Sequence, residues 1–116
     1  MHALSVAGLA VVATTVAALA AVLSPNEIQA TFFNGEPFTA STGTIKYKMT
    51  YAADGKMTRE QIGKSGAKSD GTWRLSKDGF CSTWKGSKAN CYRVETAGDN
   101  KWSVMKGTTT VATWTK

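Results

Sequence analysis

Apolar and polar residues alternate most clearly between Thr72 and Glu95. Trp73 and Leu75 are interleaved with Thr72, Arg74 and Ser76; beyond them Phe80, Trp84, Tyr92 and Val94 share one parity, and Thr83, Arg93 and Glu95 the other. Period two marks a strand with one buried face. Asp78-Gly79 and Lys85-Gly86-Ser87 interrupt the runs, so the stretch predicts two hairpins in series. A three-residue loop at 85–87 sets Trp84 opposite Lys88 and Cys81 opposite Cys91. The aromatic side then faces the core. The cysteines lie with Thr83, Arg93 and Glu95 on the outer, wetter side, where a disulfide can join them. In the chain-entropy account, closing so short a loop stabilises by about 2.5–3 kcal/mol.

The same alternation extends in both directions. Ile45, Tyr47, Met49 and Tyr51 alternate with Thr44, Lys46, Lys48 and Thr50, and Asp54-Gly55 turns the chain into a strand from Lys56 to about Ile62. Residues 63–71 read as a loop. Gly98-Asp99-Asn100 precedes a strand around Trp102 and Val104, and Gly107 leads into a last one near Thr110–Trp114. The three Asp-Gly dipeptides are hairpin signals. Ahead of the strands, Ser24 can cap a helix, Pro25 suits its first position, and Glu27 can complete a capping box. Ile28 and Phe32 fall on one face and Asn34-Gly35 supplies the stop, predicting a helix over Pro25–Phe33. The fold expected is mainly β: an antiparallel six- to seven-stranded meander, curled into a small barrel or half-barrel, with the short helix over an open end. Trp73, Phe80, Trp84, Tyr92 and Trp102, with Tyr47 and Tyr51, are the candidate core rings and leave little room for a deep ligand chamber. Trp114, near the C-terminus, reads as an exposed ring marking a contact surface.

Upstream, Ala3 to Leu23 carries no charged side chain. That length suits a cleaved signal peptide, with Ala18-Leu19-Ala20 as a small-x-small cut site, and is also long enough for a single membrane anchor, though Thr14, Thr15 and the many alanines favour the signal. The expected division is residues 1–23 as signal or anchor and 24–116 as one β-domain. A cut after Ala30 would destroy the predicted helix, so cleavage near Ala20 or Ala21, or none, is expected. Both readings put the domain outside the cytoplasm, periplasmic or secreted in one case and on the outer side of the inner membrane in the other. Two cysteines in a small exported domain agree with that.

Charge adds a partner class but no chemistry. The chain has a formal net charge of +6, and its charged residues all follow residue 26. Lys46, Lys48, Arg74 and Arg93 are the candidates for an anionic partner surface, although lysines so spread out are also the ordinary dressing of a soluble sheet. Lys46-Tyr47-Lys48 and Trp73-Arg74 mix rings with cations. In a strand, however, neighbours point to opposite faces, whereas stacking on single-stranded nucleic acid needs both on one face, which argues against nucleic acid. Gly63-Lys64-Ser65 lacks the earlier glycine and the following helix of a phosphate loop. The only histidine is His2, in the leader, so no metal set, cofactor site or activated nucleophile is expected. Asp54, Asp70, Asp78 and Asp99 are accounted for by turns, and no catalytic residue is assigned.

At Gly71-Thr72-Trp73, Gly79-Phe80-Cys81, Trp84 and Cys91, together with Tyr51 and Asp54-Gly55, the chain resembles a group of small exported bacterial proteins of unknown function. They share a Gly-x-Trp strand followed by a Cys…Trp…Cys hairpin, and the resemblance spans roughly residues 24–107. It implies a periplasmic or envelope location in a Gram-negative bacterium and assigns no functional residue. The function expected is a non-catalytic binding or structural module of the envelope. The alternatives are a membrane-anchored accessory subunit of an inner-membrane complex and, more weakly supported, an inhibitor of an envelope hydrolase that uses the 63–70 loop. Its partner is then a protein or envelope component, with the membrane added if the leader is retained.

Overall fold

Eight antiparallel strands close into a barrel in which each strand pairs with its neighbours in chain order. The computed structural model describes residues 20–63 and 68–116. Most of the leader, whether signal or anchor, therefore lies outside the described residues, as does the centre of the 63–70 loop. Helix α1 (Pro25–Phe32) comes first. It is followed by β1 (Phe38–Thr42), β2 (Ile45–Tyr51), β3 (Lys56–Gln61), β4 (Lys68–Leu75), β5 (Phe80–Trp84), β6 (Asn90–Gly98), β7 (Lys101–Lys106) and β8 (Thr109–Thr115).

The helix forms as its sequence predicts. The Ser24 side chain accepts from the Glu27 backbone N–H at 3.1 Å, and the Ser24 N–H donates to the Glu27 carboxylate at 2.8 Å. Ile28, Phe32 and Phe33 are buried, so the helix plugs one end of the barrel. There Phe32 meets Phe38, Trp102 and Trp114 with ring centroids 4.8–5.0 Å apart, and Phe33 stacks on Tyr51 at 4.5 Å. Lys116 closes over this end, pairing with Glu36 at 3.2 Å and donating to the Thr31 carbonyl. Residues 21–23 join the wall: the Leu23 N–H donates to the Val94 carbonyl and the Thr96 N–H to the Ala21 carbonyl. The folded body therefore reaches back to residue 21, three positions before the helix cap.

The strand count is corrected from six or seven to eight, and the half-barrel alternative gives way to closure. The missed element is β1. It pairs with β2 on one side and β8 on the other, so it is the strand that seals the wall. Its sequence, Phe-Thr-Ala-Ser-Thr, buries Phe38 and Ala40, but an inward alanine gives too little hydropathy contrast to reveal the period. Strand β4 also starts earlier than expected, at Lys68. Asp70-Gly71 is not a turn: Gly71 lies within β4, opposite Trp84, where an added Cβ would come within 2.6 Å of the Met57 methyl and 2.5 Å of the Thr83 carbonyl. Asp78-Gly79 differs in another way, because Gly79 has no left-handed backbone and is needed where the Tyr92 carbonyl passes 2.0 Å from its would-be Cβ. Only Asp54-Gly55 is the expected left-handed turn, at φ 92°.

Register in the disulfide hairpin follows parity. Phe80 faces Tyr92, Cys81 faces Cys91, and the two cysteines are bonded. Cys91 is exposed, but Cys81 is only 2% exposed, which corrects the expectation of a wet bridge. A small side chain on a central strand is covered by its registered neighbours, here Arg74 and Cys91. Of the candidate core rings, Phe80 is buried and Trp73, Trp84, Tyr92 and Trp102 are half-buried against the core. Trp114 is not exposed. At 3% exposure it belongs to the core, because β8 is flanked by β1 as well as β7.

Candidate ligand-binding cavity

The rings crowd the helix end and leave the other end open. Away from α1, toward the hairpins that join β1 to β2, β3 to β4, β5 to β6 and β7 to β8, the barrel holds a cavity of about 150 Å³. Its size follows from side-chain choice. Ala40 on β1 and Ala112 on β8 line it, and inward alanines leave space that larger residues would fill.

The two walls of the cavity differ. From β1, β7 and β8 it is lined by Ala40, Val104, Val111, Ala112 and Trp114, a mostly apolar surface with Thr42 at its edge. Facing them, beside Met49 and Phe80, are the polar and aromatic side chains of Tyr47, Tyr51, Arg59, Ser82, Trp84 and Tyr92, from β2, β3, β5 and β6. Arg59 shares the inward parity of Met57, two residues earlier. Its guanidinium carbon lies 4.3 Å from the Trp84 ring centroid and 4.9 Å from that of Tyr47, a cation–π arrangement that holds the head group in place. Ion pairs among the described residues join Arg93 to Glu95 and Lys116 to Glu36; none reaches Arg59.

The hydroxyls around this cation stay protonated. Burial pushes Tyr51 far above its ordinary value; Tyr92 adds to the rise and Arg59 partly opposes it. Tyr92 is also raised, again by burial, with Arg59 opposing. Both hydroxyls are therefore neutral donors at ordinary pH. Among the described residues, the Tyr51 and Ser82 hydroxyls bond to no protein group and no sealed polar atom lacks a partner, so both open on the cavity. One guanidinium and several neutral hydroxyls on one wall, with an apolar wall opposite, make a surface that suits an anion carrying an apolar body.

The basic residues picked out from sequence lie elsewhere. Lys46 and Lys48 are on the outer face of β2, Arg74 on that of β4 and Arg93 on that of β6, so alternate strands separate them. Lys48 sits opposite Glu60 across β2 and β3, and Arg93 pairs with Glu95 at 3.2 Å. Sequence reasoning missed Arg59. The signal was available, because a charge at the inward parity of a strand needs a reason. The Gly-x-Trp element has a structural role: Gly71 makes room for Trp84, and Trp73 donates its indole N–H to the Ala52 carbonyl at 2.8 Å. Comparison with protein-family models, curated proteins and solved structures finds no match for this chain. Among the described residues no helix is long and apolar enough to cross a membrane.

Proposed function

We propose that this chain is a non-catalytic binding module of the bacterial cell envelope, working in the periplasm or outside the cell. The observation that carries the reading is Arg59, without an ion-pair partner among the described residues, on the inner face of a closed, disulfide-stapled barrel. Such a wall suits holding a molecule in place, and burial keeps the Tyr51 and Tyr92 hydroxyls protonated as hydrogen-bond donors. The disulfide supports a compartment outside the reducing cytoplasm, and the uncharged stretch from Ala3 to Leu23 supports export.

Cell fractionation with thiol trapping and intact-mass measurement tests the location. The expected result is oxidised Cys81–Cys91 in the periplasmic or secreted fraction, on a chain shortened by about twenty residues. Alkylatable thiols on a cytoplasmic chain would overturn the reading. A full-length chain in the membrane fraction would replace it with the anchored-subunit alternative.

A further inference from the structure

The cavity beside Arg59 has a size, a charge and an entrance, and the three agree on one kind of occupant. We infer that it binds a small organic monocarboxylate with a compact apolar body, aromatic or branched, whose carboxylate pairs with Arg59. The inference rests on the binding-module reading and supplies the ligand class that the reading leaves blank.

Size sets the body. A cavity of about 150 Å³ accepts a molecule on the scale of benzene, which leaves out long acyl chains and nucleotides. Shape sets its orientation. The apolar body lies against Ala40, Ala112 and Val104, where small side chains leave room. Arg59 faces that surface from β3, four strands around the ring from β7. The flat faces of Trp84 and Tyr47 pack against the guanidinium at 4.3 and 4.9 Å. Rings offer no strong in-plane acceptor, so the N–H fork of Arg59 is left to a ligand. A planar fork of that kind matches a carboxylate with two parallel hydrogen bonds. Tyr51 and Ser82 add neutral donors from the same cavity.

The entrance agrees. The helix end carries Asp54, Asp78, Asp99, Glu27 and Glu36, which Lys56, Lys77, Lys101 and Lys116 nearly balance. At the open end Lys68, Lys85, Lys88 and Lys106 outnumber Glu60 and Asp70. Lys106, at the last position of β7, reaches over the Tyr92 ring at 5.7 Å. That net positive charge at the open end raises the local concentration of small anions there. Exposed Ile45, Ile62 and Val111 belong to the same end, so an apolar body meets apolar surface as it enters.

Calorimetric titration of the exported protein with benzoate, and with benzyl alcohol as its neutral counterpart, tests the inference. Benzoate should saturate one site, bind at least about tenfold more tightly than benzyl alcohol, and weaken as salt rises. Arg59→Gln should erase the preference for the anion while thermal unfolding stays cooperative. Ala112→Leu, which fills the cavity and keeps Arg59, should abolish binding of both probes; it also decides the matter if Arg59→Gln fails to fold. Equal affinity for the two probes, unchanged benzoate binding in either variant, or no benzoate binding at all would overturn the inference. None of those results would alter the location found by fractionation, so the two readings fail separately.

Discussion

The two ends of this barrel are built from the same strands by opposite means. At the helix end Phe32, Phe33, Phe38, Tyr51, Phe80 and Trp114 meet ring against ring, and α1 with its C-cap residue brings Phe32 and Phe33 into the core. At the open end Ala40 and Ala112 leave space opposite Tyr47, Trp84 and Tyr92, and a cation, Arg59, stands where a core residue would be expected. The packed end supplies stability and so allows the open end to be loosely filled and charged. Such a division is common where function needs a site that folding alone would not favour.

Substitutions should separate the two ends by their energetic cost. Phe32→Ala removes a fully buried ring from the packed end and should cost about 3–5 kcal/mol in chemical denaturation. Replacing Cys81 and Cys91 by serine should cost about 2.5–3 kcal/mol in the same assay, and more if burying a serine at position 81 adds a polar penalty. Ser24→Ala should cost about 1 kcal/mol through loss of the helix cap. Arg59→Gln at the open end should cost about 1 kcal/mol or less, since cation–π contact is all the protein loses. If Arg59→Gln proved as damaging as Phe32→Ala, the arginine would be a core fixture and the contrast would collapse.

Alkaline pH probes the boundary between the ends, where Tyr51 lies. Its folded-state pKa is raised above the ordinary 10.0, first by burial. The unfolded chain therefore releases this proton at a lower pH than the folded one. The native state binds more protons in that range, so stability is intact below pH about 10 and declines as pH rises beyond it. Denaturation midpoints between pH 8 and 11 should be flat and then fall, and Tyr51→Phe should weaken the fall.

Much of the fold was legible because parity and caps are local. The capping box, the Cys81–Cys91 register and seven of the strands could be read from their own residues. What could not be read depends on closure. Strand β1 is short and small-sided, and its role appears only when β8 returns beside it; the burial of Trp114 follows from the same closure. Gly71 and Gly79 looked like turn residues because a dipeptide does not show which strand will cross it. Arg59 was legible in parity alone, whereas the space in front of it was not, since Ala40 and Ala112 lie far from it in sequence.

Methyl-resolved NMR during a benzoate titration tests the two-ended account most directly. The account predicts shifts concentrated at Ala40, Val104 and Ala112, with Ile28 and Leu23 at the plugged end unmoved. Shifts centred on Ile28 or Leu23, or none at the alanine methyls, would contradict it.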